Sequence, residues 1–338
     1  MDLFLASSQF FDQHYFSSLI VGCAVALYFS KNRKALFLAM LFLTLLLPVA
    51  KDVYREDRPC KAAMAIPECA EYGFPSGHAS SSMLLAAGTL GSAAFFFFLP
   101  MAVYISAGRV YIGVHSPAQV AGGMALGIIM FFVFESLVHA FRGGRRRRQR
   151  IGYLNEFPRQ LAHIVIAVAV IAGAVVAGKA LTLEALFGIV AVGIVLVNVK
   201  LMGWKIPVVD ALLRKFERKD AVFPGRGALL YFVGLAFLLS FARPLEFALA
   251  GIAFIGIGDG ASTLVGTRFG KTKLPWNREK SFEGALAFFV AGGIAAYAFI
   301  GAQAFLFAAI LALVETVDWH LDDNLLIPIA TVILGFMI

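Results

Sequence analysis

The chain has 338 residues, 60% of them hydrophobic and 15% charged, with a formal net charge of +8. A mean hydropathy of +0.82 is far above that of a soluble domain, which makes the bilayer the solvent and excludes a water-soluble globular enzyme. The positive charge argues for short cytoplasmic loops rather than a nucleic-acid partner. It gathers between apolar runs, at Lys31, Arg33 and Lys34, from Arg142 to Arg150, from Lys215 to Lys219 and from Arg268 to Lys280.

Taken in chain order, the apolar runs predict an all-α, polytopic transmembrane protein of about twelve spans in two helical bundles. The start lacks the basic region and cleavage site of a signal peptide, so the first run, near 15–30, is expected to be a retained helix. A short run at 35–50, a tight pair at 78–92 and 94–108, and a run at 117–139 complete about five spans over residues 1–140. Residues 141–150 read as a polybasic cytoplasmic linker. Over 151–338 about seven spans follow, near 160–177, 183–199, 227–241, 243–257, 284–300 and 302–318, with a last helix behind the acidic turn Asp318 to Asn324. The stretch Val208 to Phe216 is amphipathic and suits the membrane interface. With the basic loops inside, the loop 52–77 and Arg109 fall outside, whereas the polar loops of the second block fall inside.

Three fragments in the first block carry chemistry. They are Lys51 with Arg58-Pro59, then Pro75-Ser76-Gly77-His78, then Arg109 followed by His115. Cations hold phosphoryl oxygens, and paired imidazoles supply a nucleophile and an acid. Singly, each is also what a snorkelling helix-end residue looks like. In this order and spacing the set resembles the type-2 phosphatidic acid phosphatase superfamily of lipid phosphatases. The resemblance implies His115 as the nucleophile, taking the phosphoryl group as phosphohistidine, and His78 as the acid for the leaving oxygen. It also implies Lys51, Arg58, Arg109, Ser76 and the backbone of Gly77 as phosphate-binding groups, with no metal.

Two departures stand out. Gly108 occupies the position of the family's Ser, and Gln119 the position of the acid that orients the nucleophilic imidazole. An amide oxygen accepts an imidazole N–H but offers no charge. On the sequence alone, Gln119→Asp is therefore expected to raise turnover. Cys60 and Cys69 share the outer loop, either as a disulfide or as two unrelated thiols.

The second block has a different set. Gly258-Asp259-Gly260 is expected to end a span at the inner face, before a basic loop with Lys271, Lys273, Arg278 and Lys280. Acids follow at Glu315, Asp322 and Asp323, with Asn324 beside them. Membrane-edge carboxylates opposite a basic loop suit Mg²⁺ and a nucleoside triphosphate. Gly266-x3-Gly270-Lys271-Thr272 is not a P-loop, since it is one residue short between its glycines.

Together with Glu156-x2-Arg159-x3-His163, Pro224-Gly225-Arg226-Gly227 and Lys280-Ser281-x-Glu283-Gly284, these pieces resemble the family of dolichol kinases, phytol kinases and CTP-dependent diacylglycerol kinases. Gln160 stands where that family usually has Lys. The resemblance implies phosphoryl transfer from CTP to a lipid alcohol. It implies Asp259 as a catalytic residue and metal ligand with Glu315, Asp322 or Asp323. Arg159, His163, Lys271, Lys273, Arg278, Lys280 and Asn324 would be nucleotide-binding.

The expectation is a bifunctional enzyme of a prokaryotic plasma membrane. A lipid phosphatase faces outward, a polyprenol kinase with Mg²⁺ faces the cytoplasm, and both replenish a lipid monophosphate. Its partners are lipid phosphates, lipid alcohols, CTP or another nucleoside triphosphate and the bilayer, with no nucleic acid and homo-oligomerisation left open. The alternatives are a diacylglycerol kinase paired with a phosphatidate phosphatase, a cytidylyltransferase-like enzyme, or a lipid transporter with a decayed phosphatase half.

Overall fold

The computed structural model describes residues 7, 10, 14–62, 69, 71–142, 153–217 and 221–337. The polybasic stretch 143–150 lies outside the described residues. The protein is all-helical, with no strand among the described residues and one isolated bridge, Lys273 to Ser281. It is an integral membrane protein. Among the described residues, six helices are long and apolar enough to cross a bilayer: Arg33–Tyr54, Pro117–Phe141, Glu156–Val176, Lys179–Leu201, Leu245–Phe269 and Phe282–Ile300.

The expected count of about twelve spans is higher because it included shorter apolar helices. One of the helices it included, Gly77–Gly88, has 12 residues and rises about 18 Å, well short of a hydrocarbon core of about 30 Å.

The chain divides into two compact units, one of residues 1–143 with 195–203, the other of residues 144–194 with 204–338. The first contains α1 (Tyr15–Phe29), α2 (Arg33–Tyr54), α3 (Gly77–Gly88), α4 (Phe95–Tyr111) and α5 (Pro117–Phe141). Helix α3 is buried between its neighbours because α5 offers it a glycine face. A Cβ on Gly123 would lie 2.5 Å from the Ser76 carbonyl oxygen, and one on Gly127 2.2 Å from that of Ser80. Only glycine permits this approach, the small-residue packing that membrane helices use in place of a hydrophobic driving force. It fixes the start of α3 against the start of α5.

The second unit contains α6 (Tyr153–Val176), most of α7 (Lys179–Leu201), α8 (Pro207–Phe216), α9 (Arg226–Phe241), α10 (Leu245–Ala253), a π-helical turn Phe254–Gly258, α11 (Asp259–Phe269), α12 (Phe282–Ile300), α13 (Gln303–Thr316) and α14 (Asp323–Gly335). Helix α8 is the expected amphipathic stretch, with Val208 and Leu212 exposed.

The span expected to end near 257 does not end there. Helix α10, the π turn and α11 form one continuous helix, Leu245–Phe269, and Gly258 and Asp259 both have right-handed helical backbone. Gly258 serves packing rather than a turn, because a Cβ there would lie 3.4 Å from the Gly292 Cα and 3.3 Å from the Phe288 ring. The π turn adds a residue to the helix and re-aims Asp259, a geometry that recurs at functional sites.

Candidate active sites

In the first unit, the end of α2, the loop after it, the start of α3, the end of α4 and the start of α5 meet at one end of the bundle. Lys51 and Arg109 lie in the last turns of α2 and α4, where the helix dipole favours cations. Ser116 and Gln119 form a capping box at the start of α5, with Pro117 inside the first turn. The Ser116 Oγ accepts from the Gln119 backbone N–H, and the Gln119 Oε1 accepts from the Ser116 N–H, each at 3.2 Å.

This end of the bundle collects every residue of the three sequence fragments. His115, Arg58 and Arg109 are buried. Burial first, then the positive charges of Arg58 and Arg109, hold the His115 pKa far below the usual imidazole range, at about 2. The imidazole is therefore neutral and nucleophilic. The Ser76 hydroxyl is fully buried without a hydrogen-bond partner, while its backbone N–H donates to the Gln119 carbonyl at 3.1 Å.

His78 is half-buried, its ring 3.9 Å from that of Tyr15. The Tyr15 and Ser81 hydroxyls are 2.9 Å apart. The Lys51 Nζ and an Arg58 Nη2 both contact one oxygen of Glu71, at 3.1 and 3.5 Å, and Lys51 holds that carboxyl below its ordinary range. One carboxylate oxygen thus already sits between two of the cations expected to bind phosphate. Cys60 and Cys69 form a disulfide, with Cα atoms 5.7 Å apart, resolving the two alternatives of the sequence.

The Gln119 side chain meets His115. Its Oε1 lies 3.2 Å from the His115 Nδ1, and its Nε2 donates to the Glu56 carboxylate and to the Asp57 carbonyl, both at 2.9 Å. Sequence reasoning missed Glu56. Its one local signal is its place two residues before Arg58, in the non-helical stretch that follows the left-handed Arg55.

The second unit places acids together instead. Asp259 at the start of α11, Glu315 at the end of α13 and Asp323 at the start of α14 offer carboxylate oxygens within 4.8 Å of one another. Asp259 and Glu315 are buried. Lys280 forms ion pairs with Glu315, at very short range, and with Asp323 at 3.4 Å. Its loop is tied down beside Glu315, where the Trp276 indole N–H donates to the Thr316 hydroxyl at 3.2 Å and the Asn277 amide to the Thr316 carbonyl at 3.0 Å. The Ser262 hydroxyl donates to Glu315 at 3.0 Å.

Asp322 stands apart from this group, capping α14 by accepting from the Asn324 N–H at 3.1 Å. The Asn324 amide donates to the Gly227 carbonyl of α9 at 3.3 Å. Arg159 is paired through Nε and Nη2 with the buried Glu156, at 2.9 and 2.7 Å. The His163 ring stacks 4.1 Å from that of Tyr231, whose hydroxyl donates to the His163 carbonyl at 2.7 Å. Lys271, Lys273 and Arg278 are exposed on the loop. Two residues not singled out from the sequence as site residues are buried here, Gln160, with neither amide atom partnered, and Arg226.

Comparison with known proteins bears on each unit separately. Residues 33–143 match the sequence model of the PAP2 superfamily. They are a PAP2 superfamily domain. The C-terminal region is similar to plant prenyl-alcohol kinases. A probable phytol kinase 2, chloroplastic, of Oryza sativa subsp. japonica is 31% identical over 157 residues, 41% of this chain and 52% of the relative. The chloroplastic farnesol kinase of Arabidopsis thaliana is 28% identical over 148 residues, 38% of this chain and 47% of the relative. An uncharacterized protein of Methanocaldococcus jannaschii is 34% identical over 127 residues, 36% of this chain and 63% of the relative. The chain spans about half the length of the curated relatives it matches. No solved structure matches it.

Proposed function

We propose that the protein is a bifunctional membrane enzyme, a metal-independent lipid phosphate phosphatase joined to a CTP-dependent kinase of an isoprenoid alcohol. The observation that carries this reading is the convergence of Arg58, Ser76, Arg109 and His115, from sequence positions far apart, on one end of the first unit. In the second unit the group Asp259, Glu315 and Asp323, with Lys280 among them, supports the kinase. The likeness to phytol and farnesol kinases favours a prenyl alcohol over diacylglycerol. Polyprenol is the acceptor expected from the sequence. By the positive-inside argument, the phosphatase site faces outward and the kinase site faces the cytoplasm of a prokaryotic cell.

For the phosphatase, an imidazole nitrogen of His115 attacks phosphorus in line with the lipid oxygen. The P–O bond breaks, and His78 gives its proton to the leaving oxygen. Lys51, Arg58, Arg109 and the Ser76 hydroxyl hold the non-bridging oxygens, where charge is greatest in the transition state. Water deprotonated by His78 then attacks the phosphohistidine, the P–N bond breaks, and inorganic phosphate leaves.

For the kinase, three convergent carboxylates form a hard oxygen donor set, and the buried Asp259 Oδ1 has no hydrogen-bond partner, which fits Mg²⁺. Asp259, Glu315 and Asp323 would hold the ion, which when bound neutralises phosphoryl oxygens. A carboxylate of this group takes the proton of the lipid hydroxyl as its oxygen attacks the terminal phosphorus and the bond to the nucleoside diphosphate breaks. Lys271, Lys273, Arg278 and Arg159 would supply cations for the nucleotide, and Asn324 and His163 are further candidates for binding it.

The test is a double dissociation in purified protein, with CTP and ATP against phytol, farnesol and a polyprenol, and with lipid mono- and diphosphates for hydrolysis. His115→Ala is expected to lower phosphate release by at least ~10³-fold and to spare the kinase. Asp259→Asn and EDTA are expected to stop only the kinase. Pyrophosphate released from CTP would instead assign a cytidylyltransferase. Consumption of neither substrate class would assign a transporter.

A further inference from the structure

We propose that Glu56 is a positioning residue that works through the Gln119 amide to hold His115 in the tautomer whose Nε2 carries the lone pair. This deepens the phosphatase reading and rests on it. The Gln119 amide has neighbours of opposite character at its two ends. At the Nε2 end are two acceptors, the Glu56 carboxylate and the Asp57 carbonyl, each 2.9 Å away. At the Oε1 end is a donor, the Ser116 backbone N–H, 3.2 Å away. Turning the amide over would set oxygen against both acceptors and NH₂ against the donor. Three neighbours therefore agree on its orientation, the kind of network that assigns an amide.

With Oε1 fixed 3.2 Å from the His115 Nδ1, that nitrogen must carry hydrogen. A neutral imidazole has one ring hydrogen, which leaves Nε2 as the nucleophile. The choice of tautomer matters because His115 is buried beside Arg58 and Arg109 and stays neutral.

Two backbone features hold the relay. The Gly73 N–H donates to the Glu56 carbonyl at 2.7 Å. A Cβ on Gly73 would lie 2.5 Å from the Gln119 Oε1, so only glycine leaves room for the amide. Glu56 also contributes what the Asp57 carbonyl does not. Its negative charge strengthens the bond from Nε2 and polarises the amide toward His115. A carboxylate one residue further back thus does part of the work of the acid that position 119 lacks.

The experiment compares wild type, Glu56→Leu and Glu56→Gln for phosphate release and for the His115 tautomer, read by ¹⁵N solid-state NMR with His115→Gln identifying the resonance. In wild type the hydrogen is expected on Nδ1. Glu56→Leu should lower kcat ~10- to 100-fold with little change in KM and should mix the tautomers, the size expected for an outer partner of a functional imidazole. Glu56→Gln, whose amide oxygen still accepts from Gln119, should keep the tautomer and lose less turnover. Hydrogen on Nε2 in wild type, a reading that needs no variant to fold, overturns the proposal, and so does full turnover in folded Glu56→Leu. If His115→Gln leaves phosphate release unchanged, the phosphatase reading fails, while the wild-type tautomer still decides the role of Glu56.

Discussion

In the first unit the buried charged groups around His115 are Arg58 and Arg109, and the Glu56 carboxylate stands off behind the Gln119 amide. In the second unit the buried Asp259 lies beside two further carboxylates, the buried Glu315 and the partly buried Asp323, and the cation Lys280 reaches in from a loop. The first site gathers buried cations and the second gathers carboxylates. The difference teaches how each set of charges is kept stable in the fold. Buried ionic groups in a membrane protein need partners. In the first unit Glu71 lies against Lys51 and Arg58. In the second, the Lys280 ammonium lies among the acids.

The sharpest way to break this comparison is Lys280→Met. If Lys280 is the counter-ion of the acid group, its removal takes one ion pair from the buried Glu315 and one from Asp323. Stability should fall by about 3 kcal/mol, the cost of breaking a buried pair, and kinase turnover should fall with it. Mg²⁺ should then raise the melting temperature more than it does in wild type. Unchanged melting behaviour would mean that Lys280 serves only the nucleotide, and the two sites would lose their symmetry.

A smaller effect sharpens the other half. On the sequence alone, Gln119→Asp was expected to restore the orienting acid. The structure reverses that expectation, because the new carboxylate is shorter and faces Glu56 and the Asp57 carbonyl, both acceptors. Phosphatase turnover should fall by about tenfold, within the range for outer partners, and a rise in turnover would sink the account of the relay.

The smallest effect is on pH. His115 is held far below its unfolded value by burial and then by Arg58 and Arg109. Below about pH 6.5 the unfolded chain gains a proton that the folded site refuses, so stability should fall as pH drops through that value. His115→Gln should remove this share of the acid sensitivity. Equal slopes of melting temperature against pH in both proteins would show that His115 is not held neutral.

What was readable from the sequence differs between the units for a physical reason. Lys51, Arg109 and His115 lie where apolar runs end, so hydropathy marks them as helix-end residues. Gln119 is marked by Ser116-Pro117-x-Gln119, a capping signature that fixes its amide oxygen locally. Glu56 carries no such mark, since its role exists only once Gly73 and Gln119 have been folded against it. Asp259 misled in the opposite way. Two flanking glycines suggested a turn, but the helix runs on because Gly258 is needed for contact with α12, and packing outweighs glycine's weak local preference.

By itself the sequence determined an all-helical membrane protein with two chemically different polar sets. Those properties follow from side-chain type, hydropathy and charge order along the chain, which no fold can alter. Only the tertiary structure decided that Cys60 joins Cys69, that Glu56 stands behind Gln119, that Asp322 caps a helix while Asp323 joins Asp259 and Glu315, and that Lys280 lies among the acids. Each of these pairings joins groups that local periodicity cannot relate. They are set by tertiary packing, which between α3 and α5 and between α11 and α12 is closest where glycine replaces a side chain.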